Sequence, residues 1–164
     1  MITKEQISNA MTRECDICLH LFSKLSTDAY DYRPSAAQRT TLELLQYLAS
    51  CGIGGLRAMA NANWKLFSEE LARTKEMPAD EFPAAMKRQE LAIEEFFAST
   101  SERVLETQEA TMPGGGTLPL GAGILNGPLK WLAAYKLQLF LYAKATGAHE
   151  IGTANAWAGI DWKR

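Results

Sequence analysis

Apolar side chains that recur every three or four residues, in segments opened by helix-capping signals, constrain this chain more than any other feature. In the first such segment Ile7, Met11, Cys15, Cys18, Phe22 and Leu25 form a stripe along one side, the pattern of a helix with a single face to bury. Thr3 followed by Gln6 has capping-box spacing ahead of it, in which a hydroxyl and a side-chain amide satisfy helix-end N–H groups reciprocally. A helix over about residues 3–26 is predicted, ending where Ser26, Thr27 and Asp28 lead into YDYRPS.

The same signal returns at Thr40 and Glu43, ahead of Leu44, Leu45 and Leu48, while Pro34 disfavours helix at Arg33. A second helix is predicted over 41–60, with the run CGIGG at 51–55 placing glycines within or just after it. Each helical glycine costs about 1 kcal/mol relative to alanine, so either the helix kinks there or another backbone packs very close. From Pro83 to Leu105, Met86, Ile93, Phe96, Phe97 and Val104 mark the apolar side of a third helix, 83–105. Pro128 suits the first position of a fourth, 128–146, and Gly147 its C-terminal cap.

The polar stretch EELARTKEMPAD reads as a connection, and TMPGGGTLPLGAGILNGP as a long loop. No run alternates apolar and β-branched residues and no long period repeats, so sheets and solenoids are not expected. The expected fold class is all-α, a four-helix bundle. With 164 residues, 47% of them hydrophobic, the chain suits one domain, 1–164, with one core.

Seventeen basic and nineteen acidic residues leave a charge of −2 with no basic block, so nucleic acid is not an expected partner. The apolar stretch in 129–143 is interrupted by Lys130, Lys136 and Gln138 and falls short of the roughly 20 apolar residues that cross a bilayer. No membrane association is expected. MITKEQISNAMTRECD lacks the apolar core of a signal peptide, which predicts a cytoplasmic protein. Its three cysteines then read as reduced thiols.

Beyond these patterns, YRP at 32–34, TLELLQYLAS at 41–50, the glycine-containing loop before the last helix and YKLQLFLYAKATG at 135–147 resemble the DinB/YfiT-like superfamily. Its typical members are small bacterial four-helix bundles that hold a divalent metal through one histidine in a pattern like ELLxHLA and two in a pattern like HxxxHRGQL. The resemblance puts Tyr47 at the first position and Trp131 and Tyr135 at the other two, while Gln138 and Gly147 match the glutamine and glycine of the last pattern. Indole offers no lone pair and a neutral phenol is a poor donor, so the expectation is a version with no metal and no cofactor.

Glu43 lies one turn before Tyr47, and Gln138 and Tyr142 follow Tyr135 at three and seven. With Trp131 they are the candidate lining of an aromatic pocket with a polar edge; the alternative is that the aromatic stripe fills core space. Cys15 and Cys18, mid-helix, read as small core residues rather than a redox pair. His20 points to a different face, and Cys51 would have to reach the pair across the bundle. His149 reads as a solvated tail residue, and PGGG at 113–116 lacks the ending of a phosphate-binding loop. The expected function is binding of a small ligand or a partner protein without metal-dependent catalysis. The resemblance implies a homodimer, for which CGIGGLRAMANA is a candidate contact, and it also points to a thiol-dependent transferase or hydrolase; a filled interaction module is the third reading.

Overall fold

In the computed structural model, residues 2–162 are described. They form helices α1 (Lys4–Phe22), α2 (Thr41–Ala60), α3 (Lys65–Thr74), α4 (Phe82–Ser99) and α5 (Glu102–Thr107), strands β1 (Glu109–Thr111) and β2 (Thr117–Pro119), then α6 (Leu120–Asn126), α7 (Pro128–Ala145) and α8 (Thr153–Ala158). Both capping boxes close: Thr3 Oγ1 accepts from the Gln6 N–H at 3.2 Å, and Thr40 Oγ1 from the Glu43 N–H at 3.1 Å. The side chains of Gln6 and Glu43 return the favour to the cap N–H groups at 3.0 and 2.6 Å. α1 and α2 each pack against both α4 and α7. The result is the expected four-helix bundle, around a core that includes Met11, Leu44, Leu48, Met86, Ile93 and Leu132.

Local chemistry accounts for the departures from the sequence expectation. α1 stops at Phe22 because the Ser23 hydroxyl donates to the His20 carbonyl at 2.7 Å and the chain tightens to a Lys24 N–H to Leu21 bond at 3.0 Å. The third predicted helix divides into α4 and α5 at Thr100, which is extended (φ −101, ψ 129). There the Lys4 ammonium donates to the carbonyls of Phe97 and Thr100, both at 3.0 Å, neutralising the end of α4. The expected long loop holds a β-hairpin instead, with Ala110 opposite Leu118. Gly115 and Gly116 turn it at φ 85 and 79, the region that favours glycine. The stretch expected as a polar connection opens inside α3, whose last six residues are EELART.

The glycine run leaves α2 unbroken, because three neighbours use the space. A Cβ on Gly52 would stand 3.0 Å from Leu132 Cδ1 and 3.1 Å from Gln89 Oε1; on Gly54, 3.1 Å from Phe67; on Gly55, 2.6 Å from Pro128 Cγ and 2.7 Å from Trp131 Cζ3. The close approach at these three glycines is internal.

Alanine at Gly55 returns up to about 1 kcal/mol of helix propensity but drives a methyl into two rigid rings, at the upper end of the roughly 1–3 kcal/mol cost of overpacking. Gly55→Ala should therefore destabilise by about 2 kcal/mol net. Gly114→Ala, with nothing within 4 Å, should change stability by under about 0.5 kcal/mol. Denaturant unfolding of the two variants beside the parent measures both.

Candidate functional site

Tyr47 reaches inward from α2 and Tyr135 from α7, and their ring centroids lie 4.6 Å apart, edge to face. The Arg39 guanidinium covers both, 4.4 Å from the Tyr47 centroid and 5.3 Å from that of Tyr135, as a cation on aromatic faces. This stack edges a groove of about 330 Å³ between α2 and α3. Arg39, Glu43, Gln46 and Tyr47 form one wall; Ser68, Leu71, Ala72 and Lys75 form the other. Burial is the main cause that pushes the Tyr47 phenol well above its ordinary value. Tyr47 therefore keeps its proton and acts as a hydrogen-bond donor.

The six sequence candidates divide. Glu43 and Tyr47 line the groove and Tyr135 backs it. Glu43 is occupied in capping α2: the Thr40 N–H holds its carboxylate below the usual range, and Arg33 lies 3.8 Å away. Trp131 faces elsewhere, packing against Phe67 at 5.4 Å and Trp64 at 6.2 Å between centroids. Gly55 leaves the hollow into which its indole fits. Gln138 Nε2 donates to the Tyr142 hydroxyl at 2.5 Å, and that hydroxyl donates to the Arg39 carbonyl at 3.1 Å. These two thus hold the Arg39 loop rather than line the groove. Arg39 and the α3 wall went unrecognised in the sequence; the Phe67, Leu71, Thr74 spacing was the available signal.

The donor set does not fit a divalent metal. Of the three positions, one carries an indole turned toward α3, two carry phenols, and a fixed guanidinium covers the pair. Among the described residues no group of three His, Cys, Asp or Glu side chains is placed to hold a metal ion.

The other singled-out residues lie apart from this groove. Cys15, Cys18 and Cys51 are free thiols with no exposed surface, and burial is the first cause raising each thiol above its ordinary value. They stay protonated and unreactive. His149 is exposed, and PGGG is the hairpin turn. A wide cleft of about 1010 Å³ lies around Trp157, Ile160 and Trp162, and neither tyrosine of the pair lines it. Beside it, His20 Nε2 lies 2.9 Å from Asn155 Nδ2 and 3.7 Å from Asp161, which pairs with Lys24 at 2.7 Å.

His20 holds its proton less tightly than an ordinary histidine, first through burial and then through Lys24, against the pull of Asp161. Folding therefore favours neutral imidazole. The stability this contributes is complete above the ordinary histidine value of about 6.5 and is lost as pH falls through the lower folded value. Urea unfolding followed from neutral pH downward should lose stability more steeply in the parent than in His20→Gln, which keeps a hydrogen-bonding side chain and cannot titrate.

No family profile and no curated protein matches the sequence. Among solved structures the chain is similar to the crystal structure of a DinB-like protein, YjoA, from Bacillus subtilis, with a TM-score of 0.71 and 18% identity over 90% of this chain and 96% of that one. The eight helices and single hairpin described above thus make a DinB-like fold.

Proposed function

We propose that the protein is a DinB-like bundle that carries no metal and binds a small molecule in the groove between α2 and α3. The observation that carries this reading is the Arg39–Tyr47–Tyr135 stack, whose phenols stand at two of the three implied ligand positions and which presents a cation and a protonated phenol to a groove of about 330 Å³. That volume is at the small end of ligand pockets, about 300–1,000 Å³. Tyr47 and Leu71 offer apolar surface, while Arg39 and Lys75 offer positive charge, so the matching ligand has a planar apolar body and a negatively charged end. The transferase or hydrolase reading has less support, since the thiols are buried and no histidine lines the groove.

A homodimer would use the exposed Leu137 and Leu141, at 43% and 55% exposure on one face of α7, because the glycine stretch is consumed inside the bundle. Sedimentation of the parent beside Leu137→Lys/Leu141→Lys should show a dimer only in the parent.

Thermal unfolding in the presence of small aromatic carboxylates tests the ligand site, because a ligand that binds the native state raises the melting temperature by mass action. The expected result is a saturable rise that Arg39→Gln weakens by about tenfold, the loss of a charge-assisted hydrogen bond. Zinc, nickel or iron recovered in stoichiometric amount from purified protein, with a fall in melting temperature on chelation, would overturn the metal-free reading.

A further inference from the structure

A second, smaller pocket of about 230 Å³ lies between α2, α3 and α4, and the tyrosine groove does not share its lining. Helical spacing builds it. Ala49, Ile53 and Arg57 stand at successive four-residue steps on α2, and Ala85, Arg88 and Ala92 follow one face of α4. Three alanines keep the floor low, and the long side chains of Arg57, Arg73 and Arg88 rise around it. Small residues and guanidiniums thus make up most of its lining.

Its charge is unbalanced. Glu70 is the carboxylate in the lining, 2.6 Å from Arg57 Nη1 and 4.0 Å from Arg73 Nη1. Arg88 has neither a carboxylate within 4.0 Å nor a hydrogen-bond acceptor for its guanidinium among the described residues. Three guanidiniums against one carboxylate leave a local charge of +2. Nothing in the chain-wide charge of −2 discloses this. A guanidinium presents planar paired donors that match phosphate oxygens, and the pocket is below the usual range for a ligand with a large organic body, about 300 Å³ upward.

We propose that this pocket binds a phosphate dianion, either free or as the head of a small phosphomonoester. The dianion matches the excess charge, completes the unpartnered Arg88 and bridges α4 to α3. Glu70 orients two of the three guanidiniums and also repels the ligand, which gives the site a distinguishing sign: removing the carboxylate should tighten binding, whereas a purely structural Glu70 would only destabilise the fold.

The test is isothermal titration of the full chain with inorganic phosphate, with ionic strength held constant by sodium chloride. Expected are saturable binding in the parent, weakening by about tenfold or more in Arg88→Gln from loss of a charge-assisted contact, and tightening in Glu70→Gln. Because Arg88 is exposed and unpaired, Arg88→Gln should keep the parent's melting temperature without phosphate. Arg73→Gln is the second probe should Glu70→Gln fold poorly. Displacement of phosphate by phosphoserine would assign the site to monoesters, and its failure to compete would assign it to the free ion; either keeps the proposal. No saturable binding, or equal affinity in the parent, Arg88→Gln and Arg73→Gln, would overturn it.

Discussion

The carboxamide of Gln89, bonded across one turn of α2, is the joint on which the arrangement of the bundle depends. Its Oε1 accepts from the Gly52 and Ile53 N–H groups at 3.0 and 3.2 Å, and its Nε2 donates to the Leu48 carbonyl at 2.8 Å. The side chain is only 2% exposed. Each bond contributes about 1 kcal/mol net, yet a buried amide left unpaired would cost about 1–3 kcal/mol, so the contact fixes register more than it adds stability. It also explains Gly52, since a Cβ there would crowd both Gln89 and Leu132. The glycine lets α4 and α7 approach the same turn of α2 together.

From that joint the two concavities follow. Gly54 lets α3 lie against α2, with Phe67 and Glu70 over the missing Cβ. The Thr74 hydroxyl then donates to the Gln46 carbonyl at 2.7 Å, and Gln46 Nε2 donates to the Met77 carbonyl at 2.9 Å, which clamp the far end of α3. So held, α3 acts as a partition. Lys75, Leu71 and Ser68 face the tyrosine groove, while Glu70, Arg73 and Thr74 face the arginine pocket. Alternate faces of one ten-residue helix serve both.

Legibility in the sequence followed the range of the interactions. The capping boxes at Thr3 and Thr40 and the apolar stripes are local, and they placed the starts of the four bundle helices closely, while the predicted end of the third ran past Ser99 into α5. The hairpin was missed because its pairing is only three residues long, too short for alternation to register, and because the glycines that turn it also mark loops. The α4–α5 break joins a local cap that went unread, Ser101 accepting from the Val104 N–H at 3.2 Å, to a contact from Lys4, nearly a hundred residues away in sequence. Of the site, Tyr47 and Tyr135 were singled out by the family resemblance, and the structure places their rings edge to face. The direction of Trp131 was not legible, since Gly55 and the unrecognised α3 decide it. Arg39 was invisible for a related reason: it lies in a polar loop, and only the fold carries it over the two rings.

That loop carries the cation at the edge of the tyrosine groove. Tyr142 is almost fully buried in α7, stacked edge to face with Tyr32 at 5.3 Å, and its hydroxyl grips the Arg39 carbonyl. The Thr41 N–H donates to the Tyr32 carbonyl at 2.9 Å, and the Thr40 cap starts α2 one residue after Arg39. The carbonyl of Arg39 and the two residues after it are therefore tied, while its guanidinium rests on ring faces and makes no ion pair among the described residues. A cation held by π faces alone loses less on turning to an incoming anion than one already paired with a carboxylate, because no charged partner is left behind. The tyrosines at the implied metal positions thus do more than fill space. They keep a positive charge in place at the edge of the groove.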